Sequence, residues 1–377
     1  MKKICLVIGF ILALSAVSFG EEIDYAKMLD DATKGNAEAQ FSLGQLFFDA
    51  KLVKQDYEKA FYWFKKAAEN GHPIAQSNLG LMYYNGKGIS RNYNEAFYWF
   101  KKATEKDNDN AIAQNYLGIM YSNGYGVAHD YQKALECYKK AAEQGLAEAQ
   151  GALGLMYAKA HDYKQAVEWY KKAVEQGDST AQFNLGNMYF NGEFLEQDYK
   201  QAYALFKKAA EQGHTEAQFN LGLMYEKGQG VKQDFKQAAD YYKKAAEKEH
   251  AEAQFNLGNI YLNGKGVKHD YEQAFELFKK LAEQGHTEAQ FNLGLMYEKG
   301  QGVKQDLKQA VAWYRNAANA NHVKAQYNLG VMYWNGQGVN QDDENAEYWL
   351  NKAANNGDSN AKDALEITVV AQNDFLS

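Results

Sequence analysis

The chain is almost without proline: Pro73 stands alone among 377 residues. So little proline leaves few natural linkers and breaks few helices. Cysteine is nearly as scarce, with Cys5 near the start and Cys137 in the body. Once a leader carrying Cys5 is removed, no internal disulfide is possible, whatever the compartment. Beyond residue 20, no apolar run is long enough to cross a bilayer. Positive charge is not in excess either, since the formal charge is −7. That balance opposes binding to nucleic acid or anionic lipid. What the chain has in abundance is helix-forming Ala, Lys, Glu, Gln and Leu, with 28 tyrosines and 14% aromatic residues to build a core.

Residues 1–20 read as a secretory signal. Lys2 and Lys3 precede an uncharged apolar run from Ile4 to Leu14, and Ser18 and Gly20 stand at the −3 and −1 positions of a cut before Glu21. Cleavage there removes Lys2 and Lys3 and takes the formal charge from −7 to −9. The expected location is the periplasm or the exterior of the cell, with no membrane span after signal cleavage.

Self-similarity decides the architecture. The doublet Ala-Gln, followed by Leu-Gly, recurs at Ala39, Ala75, Ala113, Ala149, Ala181, Ala217, Ala253, Ala289 and Ala325, a spacing of 36 residues with two exceptions. Segments Glu211–Asp234 and Glu283–Asp306 are identical, two units apart. Within a unit, Ala217, Leu221, Met224 and Tyr225 follow the spacing of one helix face, and Ala60, Trp63, Phe64, Ala67 and Ala68 mark a second helix. Between the two lies a turn such as Gly228-Gln229-Gly230-Val231, then an aspartate placed to cap the second helix. These aspartates (56, 130, 162, 198, 234, 270, 306, 342) recur in unit after unit, which suits capping and not catalysis.

Gly222, Gly228, Gly230, Val231, Asp234 and Lys244–Ala246 display a pattern that resembles the Sel1-like repeat, a relative of the tetratricopeptide repeat. The resemblance implies an all-α fold: a right-handed α-solenoid of about nine helix-turn-helix repeats with capping helices at both ends. The expected order is a signal at 1–20 and a capping helix at 21–36. Repeats follow at 37–72, 73–110, 111–146, 147–178, 179–214, 215–250, 251–286, 287–322 and 323–358, with a closing helix and tail at 359–377. Departures are local. Ala50 and Leu52 replace the turn glycines of the first repeat, the fourth lacks four turn residues around Ala158–His161, and the fifth has Glu193-Phe194 in place of its second glycine.

All eight histidines fall at two repeat positions. His72, His214, His250, His286 and His322 follow a second helix; His129, His161 and His269 precede a cap aspartate. Equivalent residues of adjacent repeats lie about 8–10 Å apart, whereas a metal needs donors converging at about 2 Å. No metal or cofactor is expected, and no catalytic residue. Lysine pairs such as Lys207-Lys208 suit the ends of second helices, where the macrodipole favours cations.

The first helices offer a surface. Phe183, Phe219, Phe255, Phe291 and Tyr327, with Asn78, Asn184, Asn220, Asn256, Asn292 and Asn328, lie away from the face set by Ala217, Leu221 and Met224. Such residues are either packing between repeats or an interaction row. By resemblance to tetratricopeptide arrays, first helices line the concave face, and asparagines there contact the main chain of a bound peptide. The family includes adaptors in envelope assembly, exopolysaccharide secretion and host contact. The expected function is an exported scaffold that binds an extended peptide or partner protein. Alternatives are a β-lactam-binding or hydrolysing enzyme of the secreted, cysteine-rich Sel1 type, which this chain's lack of disulfides disfavours, and a glycan- or peptidoglycan-binding envelope protein.

Overall fold

The computed structural model describes residues 25–50, 53–105 and 110–366. The expected signal at 1–20, its expected cleavage before Glu21 and the tail beyond 366 lie outside the described residues. Every regular element among them is helical. The chain falls into two compact units, Met1–Ala173 and Val174–Ser377.

In the first unit the helices are α1 (Tyr25–Thr33), α2 (Ala37–Asp49), α3 (Tyr57–Glu69), α4 (Pro73–Asn85), α5 (Tyr93–Ala103), α6 (Ala111–Asn123), α7 (Tyr131–Glu143) and α8 (Ala147–Lys159). Helix α9 (Tyr163–Glu175) contains the boundary. The second unit has α10 (Ser179–Asn191), α11 (Tyr199–Glu211), α12 (Thr215–Lys227), α13 (Phe235–Ala246), α14 (Ala251–Asn263), α15 (Tyr271–Glu283), α16 (Thr287–Lys299), α17 (Leu307–Asn319), α18 (Val323–Asn335) and α19 (Asp343–Asn355). Within each unit consecutive helices pack on one another, the arrangement of an α-solenoid.

Each conserved-looking letter of the repeat has a contact that explains it. The glycine of Leu-Gly is a close approach: a Cβ on Gly222 would sit 2.4 Å from the ring of Tyr242. Without one, α13 lays its central aromatic directly on the backbone of α12. The second turn glycine joins repeats. Gly230 has φ +71, and a Cβ there would meet the carbonyl oxygen of Tyr199, in the repeat before, at 2.4 Å. The glutamine of Ala-Gln is buried and reaches back to the end of the preceding second helix. Gln254 Nε2 donates to the Ala246 carbonyl at 3.1 Å, and Gln218, Gln290 and Gln326 do the same for Ala210, Ala282 and Ala318. That satisfies a carbonyl which the helix end leaves open.

The turn aspartates are N-caps. Asp234 Oδ1 accepts from the Lys236 and Gln237 amides at 2.9 and 3.1 Å, and Asp130 accepts from Lys133 at 3.0 Å. The shortened fourth repeat keeps this device. Asp162 caps α9 through the Gln165 amide at 3.1 Å, and its own N–H bonds Tyr157 O as Asp234 bonds Tyr225 O. His161, at φ +61, makes the tighter turn.

After the ninth repeat the pattern changes. At residues 359–366 a first-helix equivalent begins, capped by Asp358 at the Ala361 amide, and Leu365 and Ala364 pack against Leu350 and Ala353. Glu366 takes the place of the packing glycine Gly330. A side chain there blocks the close seat that a further second helix would need.

Candidate interaction surface on the first helices

The aromatic row on the first helices is half-buried and engaged between repeats. Phe183 stacks on His214 with ring centroids 4.5 Å apart, Phe219 on His250 at 4.5 Å, Phe255 on His286 at 5.0 Å and Phe291 on His322 at 4.4 Å. Each phenylalanine also tilts against the central aromatic of its own second helix, as Phe219 does on Tyr242 at 5.8 Å. Tyr327 packs against the cluster around Leu350 and Ala361. These rings therefore contribute to inter-repeat packing.

The histidines are N-caps as well as stacking partners, a role that sequence reasoning missed. His250 Nδ1 accepts from the Ala253 amide at 3.2 Å, and His72, His214, His286 and His322 do likewise. A signal was present. Where the first helix carries Phe (41, 183, 219, 255, 291), the next first helix is capped by His; where it carries Ser77, Asn115, Gly151 or Tyr327, the cap position holds Asn110, Leu146, Asp178 or Asp358. Among the described residues no three His, Cys, Asp or Glu side chains converge as a metal site.

The asparagines divide into two groups. Asn256 and Asn328 hydrogen-bond Tyr242 and Tyr314, each of which donates to a carboxylate of its own repeat: Tyr242 to Glu226 at 2.6 Å and Tyr314 to Glu298 at 2.5 Å. Burial, and then the neighbouring carboxylate, hold both phenols far above the usual tyrosine range. Asn220 Nδ2 donates to Asn187 Oδ1 in the repeat before, at 3.2 Å. Asn78, Asn184 and Asn292 are half-buried, and their side chains make no hydrogen bond among the described residues. In these three, both amide donors and the carbonyl acceptor remain open to a ligand.

Further along the same helix faces four first helices of the second unit alternate, whereas α18 carries Val331 and Asn335. One and two turns beyond the asparagine row stand Asn187 and Asn191 in α10, then Leu223 and Lys227 in α12, Asn259 and Asn263 in α14, and Leu295 and Lys299 in α16. Lys227 and Lys299 are exposed, and Leu223 and Leu295 are half-buried.

The family profile described as Sel1 repeat matches residues 37–72, 73–108, 111–146, 147–178, 179–214, 215–250, 251–286, 287–322 and 323–358. Among solved structures the chain is similar to a protective antigen present in uropathogenic Escherichia coli strains, which displays an SLR fold. The identity is 33%, covering 90% of this chain and 81% of that one, with a TM-score of 0.67. It is also similar to a Sel1 repeat protein from Oxalobacter formigenes, at 29% identity over 95% of this chain and 92% of that one, with a TM-score of 0.42. The cysteine rich protein B of Helicobacter pylori is 26% identical over 35% of this chain and 95% of its own length, at a TM-score of 0.29. No curated protein matches the chain. Sel1 repeats generally build protein-interaction scaffolds, and the fold is typically non-enzymatic; matched in all nine repeats, this chain belongs to the Sel1 repeat family.

Proposed function

We propose that the chain is an exported, non-catalytic scaffold that holds an extended segment of a partner protein along the first helices of its second unit. The observation that carries this reading is the spacing of half-buried asparagines, one per repeat, from Asn184 to Asn328. A peptide in extended conformation offers alternating main-chain N–H and C=O groups, and primary amides pair with either. Asn220, Asn256 and Asn328 are held in place by their own hydrogen bonds, which lowers the entropy lost on binding. Export is supported by the leader-like residues 1–20 and by similarity to a protein described as a protective antigen.

The test is a random-peptide display selection on the purified chain. Peptides enriched on the wild type should lose binding to the combined Asn184→Ala, Asn220→Ala, Asn292→Ala variant while its melting temperature stays within a degree or two. Enriched peptides that bind the variant equally well remove the asparagines from the site. Turnover of nitrocefin by the purified chain would replace the scaffold with the β-lactam reading.

A further inference from the structure

Along α10, α12, α14 and α16 the outward positions alternate; Leu223 and Leu295 each pack one side against a core cluster and leave the other exposed. Neighbouring repeats share the same buried alanines and leucines, yet their outward positions differ and, from α10 to α16, recur two repeats on. Leu223 and Lys227 of α12 are repeated by Leu295 and Lys299 of α16, whereas α14 between them presents Asn259 and Asn263. Each Leu-Lys pair lies one turn apart on one helix face, so an apolar patch adjoins a free ammonium group.

The charge on this face has a direction. Lys227 and Lys299 are exposed and form no ion pair among the described residues. The carboxylate at the opposite end of α16 is already engaged: Glu288 stands 3.1 Å from His322 Nε2. Glu226 and Glu298 accept the hydroxyl protons of Tyr242 and Tyr314. The two lysines are thus exposed cations without an ion-pair partner among the described residues, at the C-terminal ends of α12 and α16, and they call for anions.

From this we infer that the partner segment is acidic and apolar and is read at a pitch of two repeats, with carboxylates meeting Lys227 and Lys299 and apolar side chains meeting Leu223 and Leu295. First helices of successive repeats lie roughly 8–10 Å apart, so the two Leu-Lys pairs are roughly 16–20 Å apart. An extended chain advances about 3.3 Å per residue, which places the two acidic-apolar blocks five to six residues apart. The asparagine repeat between them accepts main chain without selecting side chains. This inference rests on the proposed peptide-binding face and names its specificity.

Fluorescence anisotropy with the full mature chain tests it. Three labelled peptides of equal length carry two Leu-x-Glu blocks six residues apart, the same blocks three residues apart, or two Leu-x-Lys blocks six residues apart. The first should bind best, and Lys227→Glu with Lys299→Glu should weaken it roughly tenfold while strengthening the Leu-x-Lys peptide. Equal binding of all three peptides, lost on Asn292→Ala but indifferent to the lysine changes, keeps the asparagine face and overturns the acidic, two-repeat specificity. Binding indifferent to both sets of variants, or absent for every peptide, overturns the asparagine face as well.

Discussion

Phe219 and His250 face each other ring to ring at 4.5 Å, one from the first helix of a repeat and one from the cap of the next. The histidine does two things at once, because its Nδ1 also accepts the Ala253 amide. Stacking fixes where the next helix starts, and the cap fixes its direction. The two residues should therefore be energetically coupled. A double-mutant cycle with Phe219→Ala and His250→Ala, read by denaturant unfolding, should give a coupling of about 0.5–1.5 kcal/mol. His250→Asn, which imitates the caps at Asn36 and Asn110, should recover most of the capping share and none of the stacking share. Strict additivity of the two alanine changes would remove the stack as a source of stability.

A second prediction concerns the junction after α13, where the chain departs from its own rule. Other repeats end the second helix with residues such as Gln212-Gly213 or Gln284-Gly285, but here Lys248-Glu249 stands instead. Two penalties are visible. Glu249 adopts φ +65, a region that glycine occupies without strain, and Gln218 Oε1 is buried without a hydrogen-bond partner. In the repeat before, Gln212 Nε2 bonds the equivalent Gln182 Oε1 at 3.0 Å. Changing Lys248→Gln with Glu249→Gly should stabilise the chain by about 1–2 kcal/mol. The exposed Lys280–Glu249 pair lost in the exchange is worth little. An unchanged or lower midpoint in urea would show that the orphaned oxygen is satisfied in solution.

Much of this architecture was legible in the sequence because the chain states it nine times. Period, helix pair, turn and capping aspartate all followed from the positions of Gly228, Gly230 and Asp234. The site was less legible, for a physical reason. Helical spacing says which residues leave one face; it does not say what meets them from the next repeat. Phe219 leaves the Ala217–Leu221 face as expected, and only the structure brings His250 against it. Glu226 leaves the same face and is met by Tyr242. The pairing of Phe with His along the repeats was the available clue, since two positions that change together in every unit are in contact or share a constraint.

Gly222 offers a third prediction. An alanine ordinarily favours a helix by about 1 kcal/mol over glycine. Here the added Cβ would lie 2.4 Å from the Tyr242 ring, which is fully buried and held by Glu226. The ring cannot yield without moving α13, so overpacking should win and Gly222→Ala should lower stability by a net 1–3 kcal/mol. Pairing it with Tyr242→Ala, which removes the ring, tests whether the ring is the cause, since even Leu350 would stand 2.8 Å from a Cβ on Gly330. Thermal melting of the single and double variants decides this, and a stabilised single variant would show that the two helices stand further apart.

The last prediction is alkaline. Tyr84 is pushed up to about 12, first by burial and then by the neighbouring tyrosines Tyr93, Tyr116 and Tyr125. Tyr242 and Tyr314 are raised further, by burial and by the carboxylates of Glu226 and Glu298, against a smaller lowering from Asn256 and Asn328. A phenol whose folded value exceeds the ordinary 10.0 favours the folded state while both states are neutral. Its contribution is complete below pH 10 and declines as the unfolded chain ionises above it. The chain should lose stability steadily between about pH 10 and 12, and the combined Tyr242→Phe, Tyr314→Phe variant should start lower at neutral pH but fall less steeply. Urea midpoints across that range give the slopes, and the lysines that titrate in the same window are common to both proteins. Parallel slopes would mean that the two phenols ionise as readily inside the fold as outside it, and that the Glu226 and Glu298 contacts do not hold their protons.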